Sequence, residues 1–314
     1  MSGHQLLGPG PEFDRIRAIL AALGERGAPS GDDVALLAIG GHLLAFSTDL
    51  SVEGVHFRTE WLSHEEIGWR AAAAALSDLA AEGATPHGVL VALGVPKSAS
   101  DQESAAVMRG AGLATEEVGA KILGGDLSRA PVWTVAVTVI GETGRPVARA
   151  GGRPGDILYV TGELGGAKAA LDAWLGGRTP DDEARQRFAH PVPRIAAGRV
   201  LARSATAMLD LSDGLAADIE HLAAASHCGA ELQLDGLPVG PGVAAEAARV
   251  GKTPEGYAAE GGEDYELLVA LPPDASRPLL DVKLTPVGRL TDSGLVRFTH
   301  HALPVTLSGF QHFR

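Results

Sequence analysis

A chain of 314 residues is long enough for two domains, and with 45% hydrophobic and 21% charged residues it reads as a soluble globular protein with ample core. A formal net charge of −13 argues against a general nucleic-acid or acidic-membrane surface, and no run of about 18 apolar residues offers a membrane span. The charge also sets a condition: if the ligand is a phosphate, metal ions must screen the acids.

The single cysteine, Cys228, excludes an intramolecular disulfide framework and reads as small apolar filler. Met1-Ser2-Gly3-His4-Gln5 has no basic segment ahead of an apolar one, so no signal peptide is expected and the cytoplasm is the expected location.

In chain order, Phe13, Ile16, Ile19, Leu20 and Leu23 fall at helical spacing and predict a helix over Pro11–Leu23. Gly31-Asp32-Asp33 leads into a short strand, Val34–Ala38, and Gly40-Gly41 turns the chain back into Leu43-Leu44-Ala45-Phe46 as a hairpin. That second strand ends in Ser47-Thr48-Asp49, three oxygen-bearing side chains of the kind that suit a hard cation such as Mg²⁺. Ser63 and Glu66 form a capping-box pattern, and the helix they open places Ile67, Ala71, Ala74 and Asp78 on one small, buried face. An acid on that face must be paired or metal-bound, because an unpaired buried carboxylate is costly.

Val89–Val95 reads as a buried strand, and Ser100 with Glu103 caps a helix running to about Gly119. Gly124-Gly125-Asp126-Leu127-Ser128-Arg129 reads as a glycine turn with an acid at its tip, followed by a β-branched strand over Val132–Ile140. The Gly-, Arg- and Pro-rich stretch from Gly141 to Gly155 is the candidate boundary, giving domains 1–147 and 148–314. Beyond it come a strand at Ile157–Thr161, a helix at Ala167–Leu175, a surface loop at Arg178–Glu183 and a helix near Pro193–Arg203. The strand Ala207–Asp210 then opens onto Ser212-Asp213-Gly214 and a helix, Leu215–Ala225. Strands at Glu231–Leu234, Tyr265–Leu271 and Leu284–Leu290 complete an α/β (α+β) fold class with two domains.

Acids recur where apolar segments end or turn: Asp33, Asp49, Asp126, Asp210 and Asp213, with Asp78 added from a buried helix face. Any one of them suits a turn or a helix cap. Gathered together they would repel unless cations sat between them, and such cations would bind phosphates that bare carboxylates reject. Gly162-Glu163-Leu164-Gly165-Gly166-Ala167-Lys168-Ala169 resembles a P-loop but lacks its second glycine and its Ser/Thr. No Cys pair or His-x-x-x-His supports zinc, and no Gly-x-Ser-x-Gly supports a serine hydrolase.

Taken in order, several segments carry a resemblance. They are Gly31-Asp32-Asp33, Ser47-Thr48-Asp49, Val52-Glu53-Gly54-Val55-His56-Phe57, Leu76-Ser77-Asp78-Leu79-Ala80-Ala81 and Gly124-Gly125-Asp126. Arg149 with Arg153-Pro154-Gly155-Asp156, Asp210-Leu211-Ser212-Asp213-Gly214-Leu215 and Gly261-Gly262-Glu263-Asp264-Tyr265-Glu266-Leu267 follow. Across nearly its whole length the chain is similar to the thiamine-monophosphate kinases, within a superfamily that includes aminoimidazole ribonucleotide synthetase and selenide, water dikinase.

The resemblance implies an N-terminal domain that forms a homodimer through its sheet, a C-terminal α/β domain, and ATP bound with several Mg²⁺ ions. It implies phosphorylation of thiamine phosphate to thiamine diphosphate, with neither nucleic acid nor membrane as a partner. By motif, Asp33, Ser47, Thr48, Asp49, Asp78, Asp126 and Asp210 would hold metals, with Asp213 on a further ion. Gly125, Asp126, Arg149 and Ser212 would contact ATP; His56 and Glu263 would contact thiamine phosphate, with Phe310 as the aromatic stacked on thiamine. Ala75 and Glu82 stand where the family has Asn and Met, and neither is expected to be a ligand.

The acceptor is itself a largely ionised phosphate, so direct in-line transfer needs no general base; charge neutralisation and positioning do the catalysis. Two alternatives bear comparison. One is another ATP-dependent enzyme of the superfamily, such as a ligase; a selenide dikinase would want a reactive Cys near its N-terminus, far from Cys228. The other is a non-catalytic Mg-nucleotide-binding protein, against which the full set of acids argues.

Overall fold

The structure, a computed structural model, describes residues 8–27 and 31–309. Helix α1 (Pro11–Leu23) precedes the hairpin of β1 (Ala35–Ile39) and β2 (His42–Val52), with Ile39 paired to His42 across the Gly40-Gly41 turn. Helix α2 (His64–Ala81), β3 (Thr85–Val95), α3 (Asp101–Glu117), β4 (Lys121–Arg129) and β5 (Thr134–Glu142) complete the first unit. Its sheet runs β1-β2-β5-β3-β4, antiparallel except for the parallel β3–β4 pair.

Both predicted capping boxes form. Ser63 Oγ accepts from the Glu66 N–H while Glu66 reaches back to the Ser63 N–H, and Ser100 and Glu103 do the same for α3. The alanine run Ala71–Ala75 is wholly buried, which lets α2 lie close against the sheet and α3. At their crossing the backbones nearly touch: a Cβ on Gly68 would meet Val107 O at 1.8 Å, and one on Gly110 would meet Glu65 O at 1.8 Å. The two glycines let the helices cross, and the crossing fixes the height of α2 on the sheet.

The second unit contains β6 (Ile157–Thr161), α4 (Gly166–Leu175), α5 (Asp182–Ala189), α6 (Ile195–Leu201), β7 (Ala207–Asp210), α7 (Leu215–Ala225) and β8 (Gly229–Gln233). It continues through α8 (Val243–Arg249), α9 (Pro254–Ala259), β9 (Leu267–Leu271), β10 (Leu284–Thr291), β11 (Val296–His300) and β12 (Leu303–Val305). Its sheet runs β12-β11-β8-β10-β6-β9-β7. β6, β7 and β9 are almost entirely buried, with continuous apolar runs as expected of strands covered on both faces.

Three expectations are corrected. Gly124–Arg129 is not a turn but most of β4, paired in parallel with β3 beyond a bulge between Val89 and Leu90. Gly125 is glycine because the strands approach closely: a Cβ there would lie 1.7 Å from Val91 O. The loop at Arg178–Glu183 gives way to α5 at Asp182, because the Asp181 carboxylate accepts from the Glu183 and Ala184 N–H groups and starts a helix. Tyr265 and Glu266 precede β9 rather than opening it, and β11 and β12 lie beyond the predicted strands.

Candidate active site

Strand alternation sorts the predicted ligands. In β2, Ser47 and Asp49 point toward α2, where Ser47 Oγ donates to the Asp78 carboxylate. Thr48, between them, faces the other side of the sheet and bonds Thr138 at 2.9 Å. Asp78 reaches the same place from the small face of α2, Asp33 from the segment before β1, and Asp210 from the end of β7. Carboxylate oxygens of Asp33, Asp78 and Asp210 all lie within 4.8 Å of one another. Two sheets from different parts of the chain thus deliver acids to one point.

These groups line a cleft of ≈ 600 Å³ together with Asp49, His56, Arg149, Ser212, Asp213 and Glu263. Thr48 is absent from its walls, and Gly125 and Asp126 line a separate depression between β4 and α3. β4 stands three strands from β2, roughly 14 Å at the usual strand spacing. Within one chain, then, the structure does not bring Thr48, Gly125 or Asp126 to the acid cluster. Phe310 lies outside the described residues.

Burial and mutual repulsion dominate the electrostatics. Burial, with Asp33 nearby, raises Asp49 from 3.8 to about 6. Asp210 is pushed up to about 8, again by burial first and Asp33 next. Asp78 is held well above the carboxylate range by burial and by Asp49, Asp210 and Asp33. Asp33 is also raised by burial, though the paired Arg149 opposes the rise. The Arg149 Nε donates to Asp33 Oδ1 at 2.8 Å, and its backbone N–H donates to Asp32 Oδ1 at 3.0 Å. One guanidinium cannot neutralise four clustered carboxylates. The donors are all hard oxygens, so the set fits Mg²⁺ rather than a softer ion.

His56 and Glu263, expected from the sequence to meet the substrate, are held differently. His56 Nδ1 accepts from the Val52 N–H at 3.0 Å, which places a neutral ring's proton on Nε2 and makes it a donor. Glu263 pairs with the buried Arg70 at 2.6 Å and has a left-handed backbone, φ 68°; Tyr265 follows at φ 52°. Non-glycine residues in that region carry strain that persists only where surroundings over-determine it. Here the loop after β7 does so: the Glu263 N–H donates to Ser212 O at 2.7 Å and the Tyr265 N–H to Leu211 O at 2.9 Å. The loop after β7 and the segment ahead of β9 are therefore laced together.

Asp213 belongs to a second group, with Asp218 and His221, whose ligand atoms also lie within 4.8 Å of one another. Burial pushes His221 down to about 4, so its ring is neutral. Asp218 accepts from the Asp213 and Gly214 N–H groups at 3.2 and 3.0 Å, and burial together with Asp213 raises it strongly.

Sequence reasoning missed Asp32, Asp218, His221, Arg70 and Lys168. Lys168 lines the cleft although its glycine-rich stretch fails as a P-loop, and it pairs with Asp172 at 3.1 Å. Only Asp32, adjacent to Asp33 in the glycine-led turn, carried a local signal.

The AIR synthase related protein family matches through its N-terminal domain over residues 31–143 and its C-terminal domain over residues 153–300. The thiamine-monophosphate kinase of Halobacterium salinarum is 39% identical over 281 residues, covering 88% of this chain and 92% of that one. The Aquifex aeolicus enzyme of the same name is 34% identical, covering 83% and 86%. Among solved structures, AaThiL complexed with AMPPCP and TMP superposes with a TM-score of 0.87 at 32% identity, over 96% of this chain and 97% of that one. The hydrogenase maturation protein HypE in complex with ATP shares the fold, with a TM-score of 0.72 at 18% identity over 96% of each chain. With both domains matched and these identities sustained over most of its length, the chain belongs to the thiamine-monophosphate kinase family of AIR synthase related proteins.

Proposed function

We propose that this cleft transfers the γ-phosphoryl group of ATP to the phosphate of thiamine phosphate, giving ADP and thiamine diphosphate. The convergence of Asp33, Asp78 and Asp210 within 4.8 Å, beside Asp49, is the observation that carries the reading. Buried carboxylates around one arginine make a cation site, and a polyphosphate brought against a phosphate monoester needs one.

Asp33, Ser47, Asp49, Asp78 and Asp210 would hold Mg²⁺, with Asp213 beside them for a further ion. Bound there, Mg²⁺ supplies charge neutralisation and a template for the phosphates. Arg149 and Ser212 face the nucleotide. His56, donating from Nε2, orients the acceptor phosphate, and Glu263, anchored by Arg70, faces the cationic thiamine. A thiamine phosphate oxygen attacks the γ-phosphorus; that P–O bond forms as the bond to the β–γ bridging oxygen breaks, and the electron pair leaves with ADP. The attacking oxygen carries no proton at neutral pH, so no residue acts as general base.

The active form we propose is a homodimer of two-domain chains (1–147 and 148–314) in the cytoplasm, where ATP is available. The sheet face opposite α2 exposes Leu50, Leu90 and Leu123, an apolar surface suited to a second copy. By register, Thr48 and Asp126 lie on that same face, so docking there is the arrangement in which they, with Gly125, become site residues. Labelled γ-phosphate offered with thiamine phosphate should appear in the terminal phosphate of thiamine diphosphate, and Asp33→Asn, Asp49→Asn and Asp78→Asn should each abolish it. Label released only as inorganic phosphate would overturn the assignment.

A further inference from the structure

His300 and His301 are neighbours in sequence whose ring centroids lie 4.1 Å apart. Successive residues of a strand face opposite ways, so a turn must bring the two rings together. His300 closes β11 and pairs with Leu303 of β12, which leaves His301 and Ala302 as a two-residue hairpin turn. Such turns call for left-handed residues, and these two have φ 50° and 60°. The neighbouring strand supplies an acid. β11 runs parallel to β8 with Thr299 beside Gln233, and the Leu234 N–H donates to Thr299 O at 2.9 Å, so Asp235 arrives next to the turn. Its carboxylate accepts from the His301 N–H at 3.0 Å and pairs with His301 Nδ1 at 2.7 Å. One ligand atom from each of Asp235, His300 and His301 lies within 4.8 Å of the other two. Glu255, in the first turn of α9, pairs with His300 Nε2 at 3.6 Å, so a third segment of the chain fixes that ring.

We propose that Asp235, His300 and His301 form a zinc site on the surface of the second unit. None of the three lines the cleft. Donor chemistry separates the two places. The acid cluster of the cleft offers hard oxygens, whereas here two imidazole nitrogens join one carboxylate, a set that suits Zn²⁺ and serves Mg²⁺ poorly. Asp235 and His301 are exposed, so an ion reaches them from solvent, and it takes the place of the proton shared between them. Three protein ligands leave a fourth position for water. The ion staples the β11–β12 hairpin to the end of β8. From that hairpin the chain runs to Ser308 and Gly309 in the cleft wall, where the Ser308 N–H donates to Glu260 Oε1 at 3.2 Å. Zn²⁺ thus steadies that wall without touching nucleotide or thiamine phosphate, and the inference stands apart from the reaction in the cleft.

The test is metal counting on the full chain, stripped with chelator and then dialysed against Zn²⁺ in millimolar Mg²⁺. Wild type is compared with His300→Ala and with His301→Asn, asparagine being at home in a left-handed turn. Both variants are checked for folding by circular dichroism. The expected result is one Zn²⁺ fewer per chain in each variant and loss of the Zn²⁺-induced rise in Tm. With Cu²⁺ as the probe, electron paramagnetic resonance should show splitting from two imidazole nitrogens in the wild type and from one in each variant. Equal Zn²⁺ counts, or a Cu²⁺ spectrum that neither substitution changes, overturn the site.

Discussion

Replacing Asp49 by Asn should make the metal-free protein more stable while destroying its function. Asp49 ionises in the folded chain at about 6 instead of 3.8, chiefly because it is buried and secondly because Asp33 is near. A raised carboxylate titration means that folding favours the protonated form. Its stabilising effect is fully present below 3.8 and is lost as pH rises through about 6. At pH 8 without metal the ionised Asp49 therefore costs ~3 kcal/mol relative to a neutral side chain of the same shape. Asn supplies that neutral shape. For a chain of this size the gain is a Tm increase of about 4–5 °C. The assay is calorimetric unfolding in a chelator at pH 4 and pH 8, repeated in millimolar Mg²⁺. The variant should exceed the wild type at pH 8, approach it at pH 4, and gain less from Mg²⁺. A lower Tm than wild type at pH 8 in chelator would refute the reasoning, because it would mean that the carboxylate is stabilised by protein partners alone.

Other consequences follow from particular contacts. Arg70→Lys keeps the charge but loses the planar fork that pairs with Glu263 and stacks on Phe188; KM for thiamine phosphate should rise on the order of tenfold, ~1.4 kcal/mol, with kcat changed less. An unchanged KM would detach Glu263 from substrate binding. Gly125→Ala forces a Cβ against Val91 O, so β4 must leave β3, and urea unfolding should show a loss of ~3 kcal/mol or more; wild-type stability would disprove the close approach.

How much of this could be read from the chain follows from the range of each signal. The capping boxes, the β1–β2 hairpin and the buried face bearing Asp78 are local patterns, and they appear as expected. Asp33, Asp49 and Asp210 were legible because an acid closing an apolar run has few bland explanations once several recur. Thr48 was separable from its neighbours by strand alternation, a signal present in the sequence and unused. Gly124–Arg129 imitated a turn because its glycines answer to β3, a partner distant in sequence. Arg70 could not be seen as part of the site: within α2 it is one polar residue among alanines, and its meaning comes from Glu263 far along the chain. Asp218 and His221 likewise gain theirs from the loop that α7 folds beneath.

The central claim, that an acid cluster shared by two sheets is a Mg²⁺-dependent phosphoryl-transfer centre, is tested most directly by turnover of the purified chain with ATP and thiamine phosphate. The account predicts ADP and thiamine diphosphate in equal amounts at millimolar Mg²⁺, and neither product in excess chelator. Folded protein that forms no thiamine diphosphate at millimolar Mg²⁺, or forms it equally well in chelator, would contradict it.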